Sequence, residues 1–311
     1  MTFNNYSSND QQLIQHCLKK IENINVNDKI ALLSGNANQS ELENLSETAK
    51  KIQIINADLS SRPDLKEAVL KQQFESLINN IDMYNNKPFK QTPLLVFQEK
   101  RRNEILHDAQ KDLNIWYKEA GAEWVNSKIP VDKLNAWNNQ PFLNQIVKLV
   151  LRNAYDLSES SEILNSSIGK GNRELFDLAL SCNASVNGPE NASKAFLTPL
   201  AHYPRPSSKR SAEATQELYD YMLEELLRRG ADINRFHNNS SSYVNLSMTT
   251  GNTYQLTKLL ENGAKADNKW TDEKGLVHST LSKAQADKKG FAPLIEEYIE
   301  KQKVKQHAFK F

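Results

Sequence analysis

The chain reads as all-α: a helical N-terminal domain followed by an α-solenoid of about four irregular repeats. Three observations predict this. Gly230, Ala231, Asp232, Ile233 and Asn234 directly follow the leucine-rich run 223–229. The pentad returns in worn form as Gly263, Ala264, Lys265, Ala266 and Asp267, with an upstream copy at Asn183, Ala184, Ser185, Val186 and Asn187. A recurring unit marks pieces that cannot bury their apolar faces alone and must stack. Finally, the stretch 1–130 carries apolar positions at helical spacing.

In that N-terminal part, Leu13, Ile14, Cys17, Leu18 and Ile21 share one face of a helix over 10–24. A second helix over 63–83 aligns Leu65, Val69, Leu70, Phe74, Leu77, Ile78 and Ile81. Pro63 opens it, and Asp64 and Glu67 suit the positive end of its dipole. Thr92 and Pro93 begin a third segment, 94–116. Trp116, Trp124 and Trp137 cluster in one short stretch, which reads as a packed junction of the N-terminal helices with the first repeat, against a surface aromatic site. Pro130, Asn138, Asn139 and Pro141 interrupt the periodicity, so 130–140 is the expected linker. The divisions are a helical domain at 1–130, repeats at 140–302 and a basic tail at 303–311.

Within the repeats, glycine at the head of the pentad suits the left-handed residue that ends a helix, and Asn suits the turn beyond it. Thr198, Pro199 and Leu200 suit a helix start, with Thr as N-cap and Pro in the first helical position. Gly171–Asn172 and Gly251–Asn252 separate paired helices. Leu175, Phe176, Leu178, Ala179 and Leu180, then Leu256, Leu259 and Leu260, form second-helix stripes. These features resemble the ankyrin repeat, whose period is the step from Gly230 to Gly263, with units at about 162–190, 197–235, 242–268 and 275–302. The same step taken from Ser242 reaches Gly275, Leu276, Val277 and His278, a worn copy of the family's Thr-Pro-Leu-His start. The second unit is longer than the family pattern, with the excess at 203–215, whose Arg205, Lys209 and Arg210 are expected in solvent. Residues 147–154 resemble a further second helix capping the stack.

Composition narrows the function. Net charge is +1, so no global field favours nucleic acid or membrane. Cys17 and Cys182 are distant and the only cysteines, which excludes a disulfide framework. Cys182 reads as packing, and Cys17 beside His16 is no catalytic pair, because helix neighbours diverge. No apolar run approaches the roughly 20 residues a membrane span needs, and the N-terminus lacks a signal peptide's regions. The expectation is cytoplasmic synthesis. Asn supplies about a tenth of the chain, which reads as codon bias.

The sequence carries no phosphate loop, zinc motif or nucleophile elbow, and neither a cofactor nor a metal is expected. His107–Asp108 is too short a motif to carry chemistry, while His202 and His278 read as structural. Near the C-terminus, Glu296, Glu297 and Glu300 form an acidic cluster, followed by a Lys-rich stretch and by Phe309 and Phe311. This layout resembles the translocation signal of Legionella-type Dot/Icm type IV secretion effectors, a group rich in ankyrin proteins; the plain alternative is an ordinary final helix. The resemblances imply a non-enzymatic protein-binding module delivered to a eukaryotic host protein. The alternatives are an effector enzyme whose domain 1–130 modifies a recruited target, and a scaffold of the bacterium itself. The expected partner surface is the turn tips Arg235, Phe236 and His237, and Lys269, Trp270 and Asp272, because exposed aromatics and Arg dominate hot spots. Their plain reading is that each ring folds back on its neighbouring repeat.

Overall fold

The computed structural model describes residues 6–21, 30, 59–83, 95–153, 155–189, 198–208, 210–235, 242–271, 274–287 and 289–308. They are mostly helical, and the chain divides into two compact units, Met1–Tyr155 and Asp156–Phe311.

The first unit contains α1 (Ser8–Ile21), α2 (Pro63–Met83), α3 (Leu95–Glu119), α4 (Ala122–Lys128), α5 (Val131–Asn138) and α6 (Asn144–Arg152). In α2, Leu65, Val69, Phe74, Ile78 and Ile81 form a buried stripe, each side chain contributing about 1.5–3 kcal/mol. The stripe on α1 is narrower than expected. Ile14 and Cys17 are buried, but Leu13 is 37% exposed. Phe74 meets Trp116 and Trp124 edge to face at 5.0 and 5.5 Å, and the two tryptophans stack at 5.4 Å. Trp137 donates to Asp82, which also pairs with Lys133. The tryptophans therefore join helices of the first unit to one another. The expected linker is helical: Pro130 is the residue before the first turn of α5, and its carbonyl accepts from Lys133 and Leu134. A proline there starts a helix instead of breaking one. Residues 147–151 lie in α6 and belong to this unit, with Tyr117 donating to the Val150 carbonyl at 3.4 Å.

The second unit contains α7 (Glu162–Lys170), α8 (Arg173–Ser181), a 3-10 turn (Pro199–Ala201), α9 (Ala212–Arg228), α10 (Tyr243–Thr250) and α11 (Thr253–Glu261). The antiparallel hairpin β1 (Lys269–Thr271) and β2 (Val277–Ser279) follows, then α12 (Thr280–Ala286) and α13 (Ala292–Ala308). One dipeptide serves both helices of a pair. Gly171 is left-handed at φ 62°, and the Asn172 amide reaches back to the Ser167 carbonyl at 2.8 Å. The Asn172 side chain then caps α8 by accepting from the Leu175 amide at 3.0 Å. Gly251 and Asn252 repeat this between α10 and α11. The stripes Leu175, Phe176, Ala179 and Leu180, and Leu256, Leu259 and Leu260, are buried as the spacing implies.

The second unit departs from the sequence expectation in three places. Thr198 caps no helix. Its hydroxyl meets that of Tyr243 at 2.8 Å, and Pro199 opens only a 3-10 turn. Of the three cations expected in solvent, Arg205 is exposed, its amide donating to the Gly169 carbonyl at 3.0 Å, Arg210 is half-buried and donates to the Gly171 carbonyl at 2.6 Å, and Lys209 lies outside the described residues; the Tyr203 ring lies 4.8 Å from Tyr219. Residues 275–278 do not start a helix. Ser279 forms the capping box of α12, and the hairpin displaces the last helix pair from the repeat count. Finally, 303–308 continue α13.

Candidate partner-binding surface

Each pentad is a helix end. Asn183, Gly230 and Gly263 have φ of 62°, 86° and 95°. In each, the next amide bonds back to the helix: Ala184 to Ala179 at 3.0 Å, Ala231 to Leu226 at 3.0 Å and Ala264 to Leu259 at 2.9 Å. This arrangement needs a residue that tolerates positive φ, which glycine and Asn do.

The fifth pentad residue then ties one turn to the next. Asn187 donates to the Gly230 carbonyl at 3.0 Å and accepts from the Asp232 amide at 2.7 Å. Asn234 donates to Gly263 at 3.0 Å and accepts from Lys265 at 2.8 Å. A carboxamide suits this because it carries donor and acceptor side by side. Gln302 of α13 closes the row, donating to the Ala264 carbonyl at 2.9 Å and accepting from the Ala266 amide at 3.2 Å. At the other edge, Leu157 donates to the Cys182 carbonyl and Ser185 to the Ser160 carbonyl, at 2.8 and 3.0 Å.

Arg235 is folded back along this row. Its guanidinium donates to the Asn187 carbonyl and, at 3.0 Å, to that of Pro189. It forms one wall of a polar groove of about 780 Å³ that also borders Glu159, Gly188 and Asp232. Lys269 is exposed, 3.9 Å from Asp267. Trp270 sits opposite His278 in the hairpin, its ring stacked on the imidazole at 5.7 Å and 19°. Phe236, His237 and Asp272 lie outside the described residues, as do Phe309 and Phe311.

Sequence reasoning missed the apolar part of this surface. Leu276 is 59% and Val277 73% exposed, Val277 pairing with Thr271 and so standing on the face opposite to Trp270 and His278. The repeat count assigns them to a helix start instead. The available signal was two short runs rich in aromatic and β-branched residues, 269–271 and 277–279, with Gly275 between them, which is hairpin chemistry.

Three groups of this unit are shifted towards their neutral forms. Burial raises the Tyr243 phenol to about 12, the Thr198 hydrogen bond opposing it. Tyr254 is raised first by burial and then by donating to Asp220 at 2.7 Å, and burial also raises the Cys182 thiol. Desolvation of this kind favours the uncharged form, which suits packing more than nucleophilic chemistry. In the first unit, His107 and Asp108 are adjacent and exposed on α3. Among the described residues no three His, Cys, Asp or Glu side chains are grouped to hold a metal ion, and no helix is long and apolar enough to cross a membrane. No family model, curated protein or solved structure matches the chain.

Proposed function

We propose that residues 156–302 form an ankyrin-type repeat stack that binds a protein, and that the chain is a bacterial effector delivered by a type IV system to meet that protein in a host cell. The stack reading is supported by the bridges from Asn187 to the Gly230 turn and from Asn234 to the Gly263 turn, which tie consecutive turns to one another. Units tied in that way offer an extended surface with little enclosed volume, which fits a protein partner. Leu276 and Val277 supply exposed apolar side chains at the hairpin for the contact, with Trp270 on the hairpin's other face and Lys269 and the Arg235 groove as polar parts; Phe236, His237 and Asp272 belong to the same tips in the sequence. The delivery reading rests on Glu296, Glu297 and Glu300, all exposed on α13, and on the terminal Phe309 and Phe311.

Affinity capture from a eukaryotic lysate tests the binding role, using the full chain beside a variant with Leu276→Asp and Val277→Asp. The expected result is a partner retained by the first and lost by the second, with both equally helical. Identical capture by the two sinks this assignment of the surface.

A further inference from the structure

The C-terminal turn of α7 gathers three cations. Lys170 is its last residue. Arg205 is anchored beside it through its amide bond to the Gly169 carbonyl, and Arg210 donates from Nη2 to the Gly171 carbonyl at 2.6 Å. Among the described residues, none of the three makes an ion pair. The nearby Arg173, by contrast, lies 3.8 Å from Asp177 and over the Tyr221 ring. Arg210 also leaves Nη1 buried without an acceptor, a condition native structures rarely tolerate without an ion or water to relieve it.

Helix capping accounts for only one of these charges. The negative end of α7 and its free carbonyls suit a single cation, which Arg210 supplies. The equivalent turn after α10 has that arrangement with a counter-charge: Lys289 donates to the Thr249 carbonyl at 2.8 Å and Lys283 to the Thr249 hydroxyl at 3.2 Å, and although burial lowers the Lys283 pKa, Asp287 opposes that shift. At α7 two further cations are present without one. Lys170 is held at about 8 by partial burial and then by the positive charge of Arg205, and no carboxylate among the described residues acts on it in the opposite sense. A half-buried Lys170 beside the like charge of the exposed Arg205 loses energy that an entering anion restores.

We propose that Lys170 and Arg205, with Arg210 behind them, bind a phosphate monoester carried on a phosphorylated side chain of a partner protein. A phosphate of charge about −1.5 to −2 with three acceptor oxygens matches several converging donors better than a single carboxylate does. The site is one compact cluster, not a stripe along which a nucleic acid could run. Exposed large apolar side chains occur at Leu13, Leu276, Val277 and Val304 among the described residues, none of them in this segment to enter a bilayer. The cluster also lies at the opposite end of α8 from the Asn-bridged turns, so it does not depend on the tip surface.

The test is an amide-resolved NMR titration of the full chain at constant ionic strength, with inorganic phosphate, N-acetyl-O-phosphoserine amide and the unphosphorylated serine amide as probes. The expected result is saturable shifts at Gly169, Gly171 and Arg205 with both phosphates and none with the serine amide. Lys170→Gln and Arg205→Gln should each weaken binding about tenfold, the scale of one charge-assisted hydrogen bond, without lowering the melting temperature, and Lys170→Arg should retain it. Three results overturn the proposal: no saturable shift at these amides, equal affinity in the Gln variants, or binding of inorganic phosphate with exclusion of the phosphoserine amide. Vesicles containing anionic lipid form the last arm, and association with them that persists in both Gln variants while neither phosphate binds also overturns it.

Discussion

The Arg210 guanidinium occupies the space that a side chain on Gly171 would need. A Cβ at Gly171 would lie against Arg210 Nη1, far inside contact distance, at φ +62°. At Gly230, φ is +86° but nothing lies within 4 Å. Two glycines with one backbone requirement therefore differ in packing. Gly230→Ala is expected to cost about 1 kcal/mol from backbone strain alone, and Gly171→Ala about 1 kcal/mol more, because the flexible Arg210 guanidinium can swing aside but then loses its bond to the Gly171 carbonyl. Chemical denaturation measures both, and Arg210→Ala should recover part of the second loss. Equal losses would mean that Arg210 does not cover Gly171.

Asn234→Ala removes both ends of a bridge between turns, and Asn234→Asp removes the donor alone. The expected losses are about 1–3 kcal/mol for Ala and less for Asp, because the Lys265 amide keeps its acceptor. Hydrogen exchange should show faster exchange at Lys265 in the Ala variant. Unaltered protection there would mean the bridge contributes nothing to the row.

The lowered Lys170 gives a pH dependence of defined sign. Its pKa is about 8 in the fold and higher in the unfolded chain, so between those values the unfolded state binds more protons. Stability contributed by this residue therefore rises as pH rises from about 8 towards the ordinary lysine value of 10.5, and the penalty is fully present below 8. Lys170→Met should remove that slope and stabilise the protein at pH 7 by about 1 kcal/mol after discounting for solvent. Melting curves of wild type and variant that stay parallel from pH 7 to 10 would contradict this.

Trp270→Ala is expected to weaken partner binding by about 2 kcal/mol or more, as an aromatic anchor does. Arg235→Ala should cost stability as well as affinity, since its guanidinium ties Asn187 and Pro189. Calorimetry with the captured partner, beside thermal melts, separates the two. Wild-type affinity in both variants would move the interface elsewhere, first to the basic Arg205–Arg210 segment.

For delivery, removal of Phe309 to Phe311, or Glu296, Glu297 and Glu300 changed to Ala, should abolish translocation in a type IV reporter assay with the fold intact. Undiminished translocation leaves α13 as a plain terminal helix.

The helix ends were readable in the sequence because few residue types tolerate positive φ. Gly171, Gly230, Gly251 and Gly263 mark them by chemistry, and Asn172 and Asn252 mark the following starts. The second-helix stripes were readable from the period of the α-helix. Much else depended on tertiary context. Thr198, Pro199 and Leu200 have the residues of a helix start, yet only a 3-10 turn forms there and the Thr198 hydroxyl meets Tyr243. The tryptophan cluster declared that rings would pack, without saying on what, and Phe74 from α2 completed it. Of the candidate surface, Lys269 and Trp270 were legible as a tip, while Leu276 and Val277 were hidden by an imposed repeat count. Nothing in sequence marks Gln302 as the residue that closes the row, since it lies far beyond Asp267 on another helix.

Asn187 precedes Gly188, a pairing prone to chemical ageing because the unhindered glycine amide can attack the carboxamide carbon and expel ammonia. In the folded chain that carboxamide is held on Gly230 and Asp232, and the Asn187 carbonyl is held by Arg235. Cyclisation must therefore wait until the turn opens. Once it occurs, the resulting aspartate or isoaspartate has no amide to offer Gly230. Deamidation at this one peptide is thus a slow, irreversible record of how often the row of turns comes apart.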